Sequence, residues 1–141
     1  MNFLDALQIS GSGMSSQSAR MNVIATNLAN AEATRTPEGG PYKRKEVIFG
    51  SVPFKEVLEG QNKSLISESK VMGVIEDTRA PQMKYDPGHP DADAQGYVAL
   101  PNVNVIQEMV NMMLASRSYE ANVTAVQTTK DMAMRALEIG K

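Results

Sequence analysis

Residues 102–141 carry one apolar stripe long enough to limit every fold open to the chain. Val105, Met109, Met112, Ser116, Tyr119, Val123, Val126, Lys130, Ala133 and Leu137 alternate steps of four and three, the spacing of a coiled-coil seam. At 1.5 Å per residue, the helix they predict is roughly 50 Å long, against about 11 to 12 residues for an average globular helix. A chain of 141 residues has too little remaining mass to cover it. The seam therefore needs a second helix, from the same chain, from identical copies or from other subunits.

The first thirty residues offer such a helix. Leu7, Met14, Met21 and Leu28 recur at every seventh position, and Ile24 and Ala31 widen that face. A parallel series of Gly11, Ser18 and Ala25 is small enough to let another helix come close. Gly11 and Gly13 each cost about 1 kcal/mol in a helix interior relative to Ala, so this helix is weak at its start until it is packed.

Between the helices the character changes. Pro37, Gly39, Gly40 and Pro41 stop the first helix, and Tyr42–Phe49, Val71–Glu76 and Gln82–Tyr85 are predicted as short strands. Residues 60–70 are polar and predict a mobile loop. Asp86 to Asp93 is dense in turn formers, and after Tyr97–Pro101 the side chain of Asn104 is placed to cap the long helix, with Gln107 answering at N3. The expectation is an α+β fold. Long terminal helices over 1–32 and 102–141 form an antiparallel coiled coil, and residues 33–101 form a small β-rich middle segment.

Charge and composition narrow the partners. A net charge of -2 and a pI near 5.4 leave no basic footprint for nucleic acid. Ten Met against three Phe and no Trp favour apolar surfaces that repack against several neighbours. Without Cys there are neither disulfides nor thiolate metal sites. The N-terminus lacks a basic n-region and Asp5 breaks its apolar start, so a Sec-type signal peptide is not expected. No apolar run approaches the roughly 20 residues that span a bilayer, so direct membrane insertion is not expected either.

Catalytic constellations are sparse. Asp86, His89, Asp91 and Asp93 imitate a hard-metal or His-carboxylate site, yet Pro87 and Pro90 already account for the stretch as a rigid turn. Ser67-Glu68-Ser69-Lys70 matches Ser-x-x-Lys of penicillin-interacting serine enzymes without its companion motifs, and Gly11-Ser12-Gly13 lacks the preceding strand and third glycine of a dinucleotide loop. One His is available as a base near neutral pH, and no triad assembles around it. The expectation is no enzyme, no cofactor and no bound metal.

Asn22-Val23-Ile24-Ala25-Thr26-Asn27-Leu28-Ala29-Asn30-Ala31 resembles the N-terminal signature of the bacterial flagellar rod and hook proteins. Within that superfamily, four further stretches resemble the proximal-rod type. They are Tyr85-Asp86-Pro87-Gly88-His89-Pro90, Gly96-Tyr97-Val98, Pro101-Asn102-Val103-Asn104-Val105, and Glu108-Met109-Val110 leading to Ala115-Ser116-Arg117-Ser118-Tyr119-Glu120-Ala121-Asn122-Val123. The resemblance covers the chain except residues 61–70.

It implies a non-catalytic structural part, a homo-oligomer within a helical hetero-assembly around a central channel. The implied partners are other proximal-rod proteins, the distal rod and the membrane-ring adaptor. The implied route is the flagellar type III export apparatus, ending in the periplasmic rod without a cleaved signal peptide. The terminal helices of such proteins form the inner tube and the middle segment lies outside it.

On that resemblance, Leu7, Met14, Met21 and Leu28 face the C-terminal seam, with Gly11, Ser18 and Ala25 permitting close approach; an intrachain hairpin fits the same pattern equally well. Asn27 and Asn30 close the first helix or bond across subunits, Arg117 and Glu120 form charge pairs between subunits, and Tyr119 is an anchor. Together with Val105, Met109, Met112, Ser116, Val123, Val126 and Leu137 these are the expected assembly residues. The alternatives are another rod subunit of the superfamily, a coiled-coil adaptor or export chaperone, and a small metal-dependent enzyme using His89.

Overall fold

A computed structural model of the chain describes residues 3–53 and 67–139. In order these form α1 (Phe3–Ala29), β1 (Lys45–Pro53), β2 (Ser67–Glu76), β3 (Gln82–Tyr85), β4 (Tyr97–Leu100) and α2 (Val105–Ile139). β1 pairs antiparallel with β2, and β3 with β4, as two separate two-stranded sheets. The expected α+β layout holds, with both terminal helices in contact and the strands between them in sequence.

Local chemistry explains the helix ends. The carboxamide of Asn30 donates to the Thr26 carbonyl at 2.8 Å, closing α1 before the Pro- and Gly-rich turn. At the start of α2 the Gln107 amide donates to Asn104 Oδ1 at 3.1 Å, the expected N-cap bond. The reciprocal half of the capping box does not form. Gln107 instead donates from its side chain to Asn111 Oδ1 at 3.3 Å, an i,i+4 pair on one face of the helix.

Strand boundaries differ from the sequence reading in four places, the first being that β1 continues past Phe49 to Pro53. Tyr42–Arg44 do not join β1, because Tyr42 is drawn into a buried side-chain cluster described below. Ser67–Lys70 are strand and not loop, paired with Gly50–Pro53. They rest on a polar edge of α1: Ser16 Oγ donates to the Ser69 carbonyl, the Ser69 amide donates to Ser12 Oγ, and Gln8 donates to Glu68 Oε1 at 2.7 Å. A strand held by serines leaves no apolar alternation to detect. The rest of the expected 60–70 loop lies outside the described residues. Finally, Tyr97–Leu100, which the sequence presents as a lead-in to α2, is β4, made a strand by its pairing with β3 across the Asp86–Gly96 turn.

The helices run antiparallel in one register. Asn27 meets Glu108, and a Cβ placed on Gly13 would lie 2.9 Å from Asn122 Nδ2; fourteen residues separate the two contacts along either helix. By the same register Phe3 lies level with Met132, so Ala133–Ile139 extend past the described start of α1. The buried apolar side chains are Ile24, Tyr42, Val98, Val103 and Ala115, with Pro101 beside them, and buried polar residues are almost as numerous: Ser16, Asn27, Glu108 and Thr129.

The two early glycines differ accordingly. Gly11 faces open space, so Gly11→Ala is expected to stabilise the chain by about 1 kcal/mol through helix propensity alone. At Gly13 the added methyl must displace the Asn122 carboxamide, itself anchored on the Ser118 carbonyl at 2.9 Å, and Gly13→Leu is expected to cost about 1–3 kcal/mol by overpacking. Urea unfolding followed by helical circular dichroism measures both. Equal shifts at the two positions would mean that the helices do not cross at Gly13.

Candidate functional site

The face of α2 turned toward α1 is not the expected seam. Glu108, Ala115 and Thr129 are buried and Asn122 lies against Gly13, a seven-residue line one position before Met109, Ser116, Val123 and Lys130. Met112, Ser116, Tyr119, Val123, Val126 and Ala133 are partly buried along its flank, whereas Val105, Met109, Lys130 and Leu137 are exposed. The buried line is thus one residue step, about 100°, around the α2 axis from the line Met109, Ser116, Val123 and Lys130. On α1, Leu7, Gly11, Met14, Ser18, Met21, Leu28 and Asn30 are partly buried, Ala25 is exposed and Asn27 is fully buried. Arg117 and Glu120 are exposed, and Glu120 accepts a long bond from Ser116 on its own helix.

What the rotation leaves outside is apolar. Ile106 is 76% exposed and Met113 57%, and with Met109 and Val110 they form a ridge on the side of α2 opposite Glu108 and Ala115. Beyond the described start of α1, Met134 and the 70%-exposed Leu137 have no helix among the described residues beside them. Patches of this kind mark contact surfaces more often than idle exposure.

Under the near end of this ridge lies a polar cluster. Asn27 uses its whole carboxamide inside the chain: Oδ1 accepts from the Tyr42 hydroxyl and the Lys45 amide, both at 2.9 Å, while Nδ2 donates to the Lys45 carbonyl at 2.8 Å and to Glu108 Oε2 at 3.1 Å. The other Glu108 oxygen accepts from Arg44 Nε at 2.8 Å. Arg44 also reaches Glu46 at 3.1 Å, its amide donates to Asn102 Oδ1, and its carbonyl accepts from the Asp77 amide at 2.7 Å. Four parts of the chain are joined here: the end of α1, the entry to β1, the exit of β2 and the first turn of α2. Glu108 also stands where the α2 dipole favours an anion. A shallow recess of about 200 Å³ opens over the cluster between Arg20, Ile24, Lys45 and Leu114.

Sequence reasoning singled out Asn27 as a residue that closes α1 or bonds across subunits, whereas it bonds inside the chain, and it assigned no role to Arg44 or Glu108. The available signal was the line Glu108, Ala115, Asn122, Thr129 itself, which resembles a solvated face because three of its four members are polar.

The Asp86–Asp93 stretch is a turn. The Asp91 amide donates to His89 Nδ1 at 3.1 Å, Asp91 accepts from Thr34 Oγ1 at 2.9 Å, and Asp93 Oδ1 accepts from the amides of Gln95 and Tyr97. Gly96, at φ +83°, brings the chain back against Tyr85 and Pro87 where a side chain would collide. The carboxylates serve separate partners, and among the described residues no group of three His, Cys, Asp or Glu converges as a metal site.

Two ionisable groups at the cluster's edge give it a pH signature. Hydrogen bonds from Arg79 hold Asp77 at about 2, below its ordinary 3.8, so its contribution to stability is complete above pH 4 and is lost as pH falls toward 2. Burial raises Tyr42 above its ordinary 10, with the Glu76 and Glu108 carboxylates adding to it, so that contribution is present below pH 10 and lost as pH rises beyond it. Burial alone would lower Arg44, but the hydrogen bond and charge of Glu108 outweigh it and raise it. Asp77→Asn is expected to remove the component of acid unfolding between pH 4 and 2, and Tyr42→Phe to remove a late component of the alkaline absorbance titration. An unchanged titration in Tyr42→Phe would place that hydroxyl in water.

Residues 7–35 match the family model described as flagella basal body rod protein, and residues 94–139 match that of the flagellar basal body rod FlgEFG protein C-terminal. The flagellar basal-body rod protein FlgC of Salmonella typhimurium is 43% identical over the full length of both chains, and that of Bacillus subtilis 42%, again over both full lengths. The FlgC of Borreliella burgdorferi is 37% identical over 99% of this chain and 98% of its own. Full-length similarity to these relatives decides between the sibling rod types, and the chain belongs to the FlgC family of flagellar basal-body rod proteins.

Proposed function

We propose that the chain is a structural subunit of the proximal rod, polymerising through its terminal helices into the shaft that links the membrane ring to the distal rod and hook. The observation that carries the reading is that α2 turns a largely polar line, Glu108, Ala115, Asn122 and Thr129, toward α1 and leaves an apolar ridge, Ile106, Met109, Val110 and Met113, open at the surface. At about 25 cal/mol per Å² of apolar area removed from water, covering such a ridge is a substantial driving force for association. The overhang at Ala133–Ile139 extends the same demand to the other end of the helix.

The partners on this reading are further copies of the chain, other proximal-rod proteins, the distal rod and the membrane-ring adaptor. The flagellar type III export channel delivers the subunit to the periplasmic rod. No helix among the described residues is long and apolar enough to cross a membrane, which supports a place in the shaft over one in the bilayer. The assembly residues named from the sequence belong to this proposal, apart from Asn27, whose buried carboxamide is used inside the chain. Gly11 and Ala25, which open outward from α1, offer shallow ground for a neighbouring subunit, while Tyr119, Arg117 and Glu120 border the α2 contact. The exposed charges contribute about 0 to 1 kcal/mol each, so the apolar ridge carries the affinity.

Met113→Lys and Ile106→Asp are expected to leave helical content within about 10% of the parent, since neither side chain touches the buried face. Both are expected to abolish motility and incorporation into isolated basal bodies. Normal incorporation of both variants would remove the outer ridge from the assembly surface.

A further inference from the structure

We infer that the Asn27–Glu108–Arg44 cluster is the register key of the helical hairpin, selecting which turn of α2 lies beside which turn of α1. Apolar matching cannot make that choice here. The inward line of α2 repeats every seven residues as Glu108, Ala115, Asn122 and Thr129, and Ala115 is its one apolar member. Opposite it, Gly13 accepts any small side chain. A slip of one heptad toward the α2 C-terminus would set Thr129 at Gly13 and Ala115 at Asn27; the opposite slip would set Ala115 at Gly13. Neither brings a bulky side chain to the crossing at Gly13, and each preserves the facing of both helices, since seven residues are close to two turns.

Glu108 separates these arrangements. In the observed register its two oxygens are divided between Asn27 Nδ2 and Arg44 Nε, and it has no exposure to water. A slip withdraws both donors from a carboxylate that is out of water and leaves the Asn27 amide short of an acceptor. Desolvation makes an unpaired buried charge far less favourable than a paired one, so a single misplaced group penalises the whole alternative. Asn27 is fixed to the start of β1 by its two bonds to Lys45, and Arg44 directly precedes that residue while its amide donates to Asn102, just before α2. The key therefore aligns α2 to the sheet as well as to α1. Polar groups that set helix register at some cost in stability have this form.

The absence of Cys allows a direct test in the full-length chain. Gly13→Cys with Asn122→Cys reports the observed register. Gly13→Cys with Ala115→Cys or Thr129→Cys reports the two slips, each with Asn122→Ala to make room at position 13. Cross-links are scored in the monomer band after oxidation, with and without Arg44→Met and Glu108→Leu together, which replace both charges by apolar side chains. With the key intact, the 13–122 bridge is expected to form and the slip bridges to stay below one tenth of it. In the double variant at least one slip bridge is expected to rise severalfold while helical circular dichroism is retained. A 13–122 bridge as dominant in the double variant as in the parent would overturn the inference. Loss of helical signal in the double variant would overturn it as well, because the cluster would then be required for folding and not for choosing a register.

Discussion

Glu108 and Asn27 meet without exposure to water where the two terminal helices begin to run side by side, and the rest of the chain is arranged by what that meeting requires. A carboxylate out of water is tolerable only with its donors in place, and breaking a buried pair from one side typically costs about 3–5 kcal/mol. Supplying those donors fixes the path of Tyr42–Lys45, which must turn across the end of α1 before β1 can start. It fixes the first turn of α2, and through the Arg44 carbonyl it fixes the strand exit at Asp77. The apolar core is small because it closes a space already defined by polar bonds.

Residue patterns revealed the elements better than their faces. Periodicity and turn chemistry located both helices, β3 and the rigid turn before β4, because Pro, Gly and Asn act locally and need no partner. The first half of β2 was hidden, since Ser67–Lys70 are held by Ser12 and Ser16 of α1 and show no apolar alternation. The inward face of α2 was misplaced by one residue for a deeper reason. Hydrophobic periodicity weighs apolar residues whatever they pack against, and on α2 the stripe it picked runs between the line buried against α1 and the exposed ridge of Ile106, Met109, Val110 and Met113, sharing Met109 with that ridge. Burial against the chain's own partner follows Glu108, Ala115, Asn122 and Thr129 instead.

That inversion is informative about function. In a protein that folds for itself, the apolar face of a helix and its packed face coincide. Here they are displaced, with polar and small residues inside and branched and thioether side chains outside. The pattern is what a chain shows when its largest apolar contact is made with something other than itself, and it is the physical content of the assembly proposed here. The turn at Asp86–Gly96 is held from within, the Asp91 carboxylate accepting from Thr34 and that of Asp93 from two backbone amides.

Geometry also constrains the kind of assembly. The outer ridge of α2 and the open side of α1 at Gly11 and Ala25 are different surfaces on one molecule, so in the proposed assembly a contact between them in successive copies would be heterologous, and such contacts build open helical arrays unless the rotation happens to close. A two-fold dimer would need one surface complementary to itself, and a convex apolar ridge is poorly suited to that. The overhang of α2 past the described start of α1 would work in the same direction in the proposed assembly, since an axial neighbour could cover it. Register within the hairpin sets the length of that overhang, and a slip of one heptad would change it by about 10 Å at 1.5 Å per residue. A shaft made of many copies repeats any such error at every step, so the buried polar cluster that fixes register in one subunit also fixes the axial spacing available to all of them.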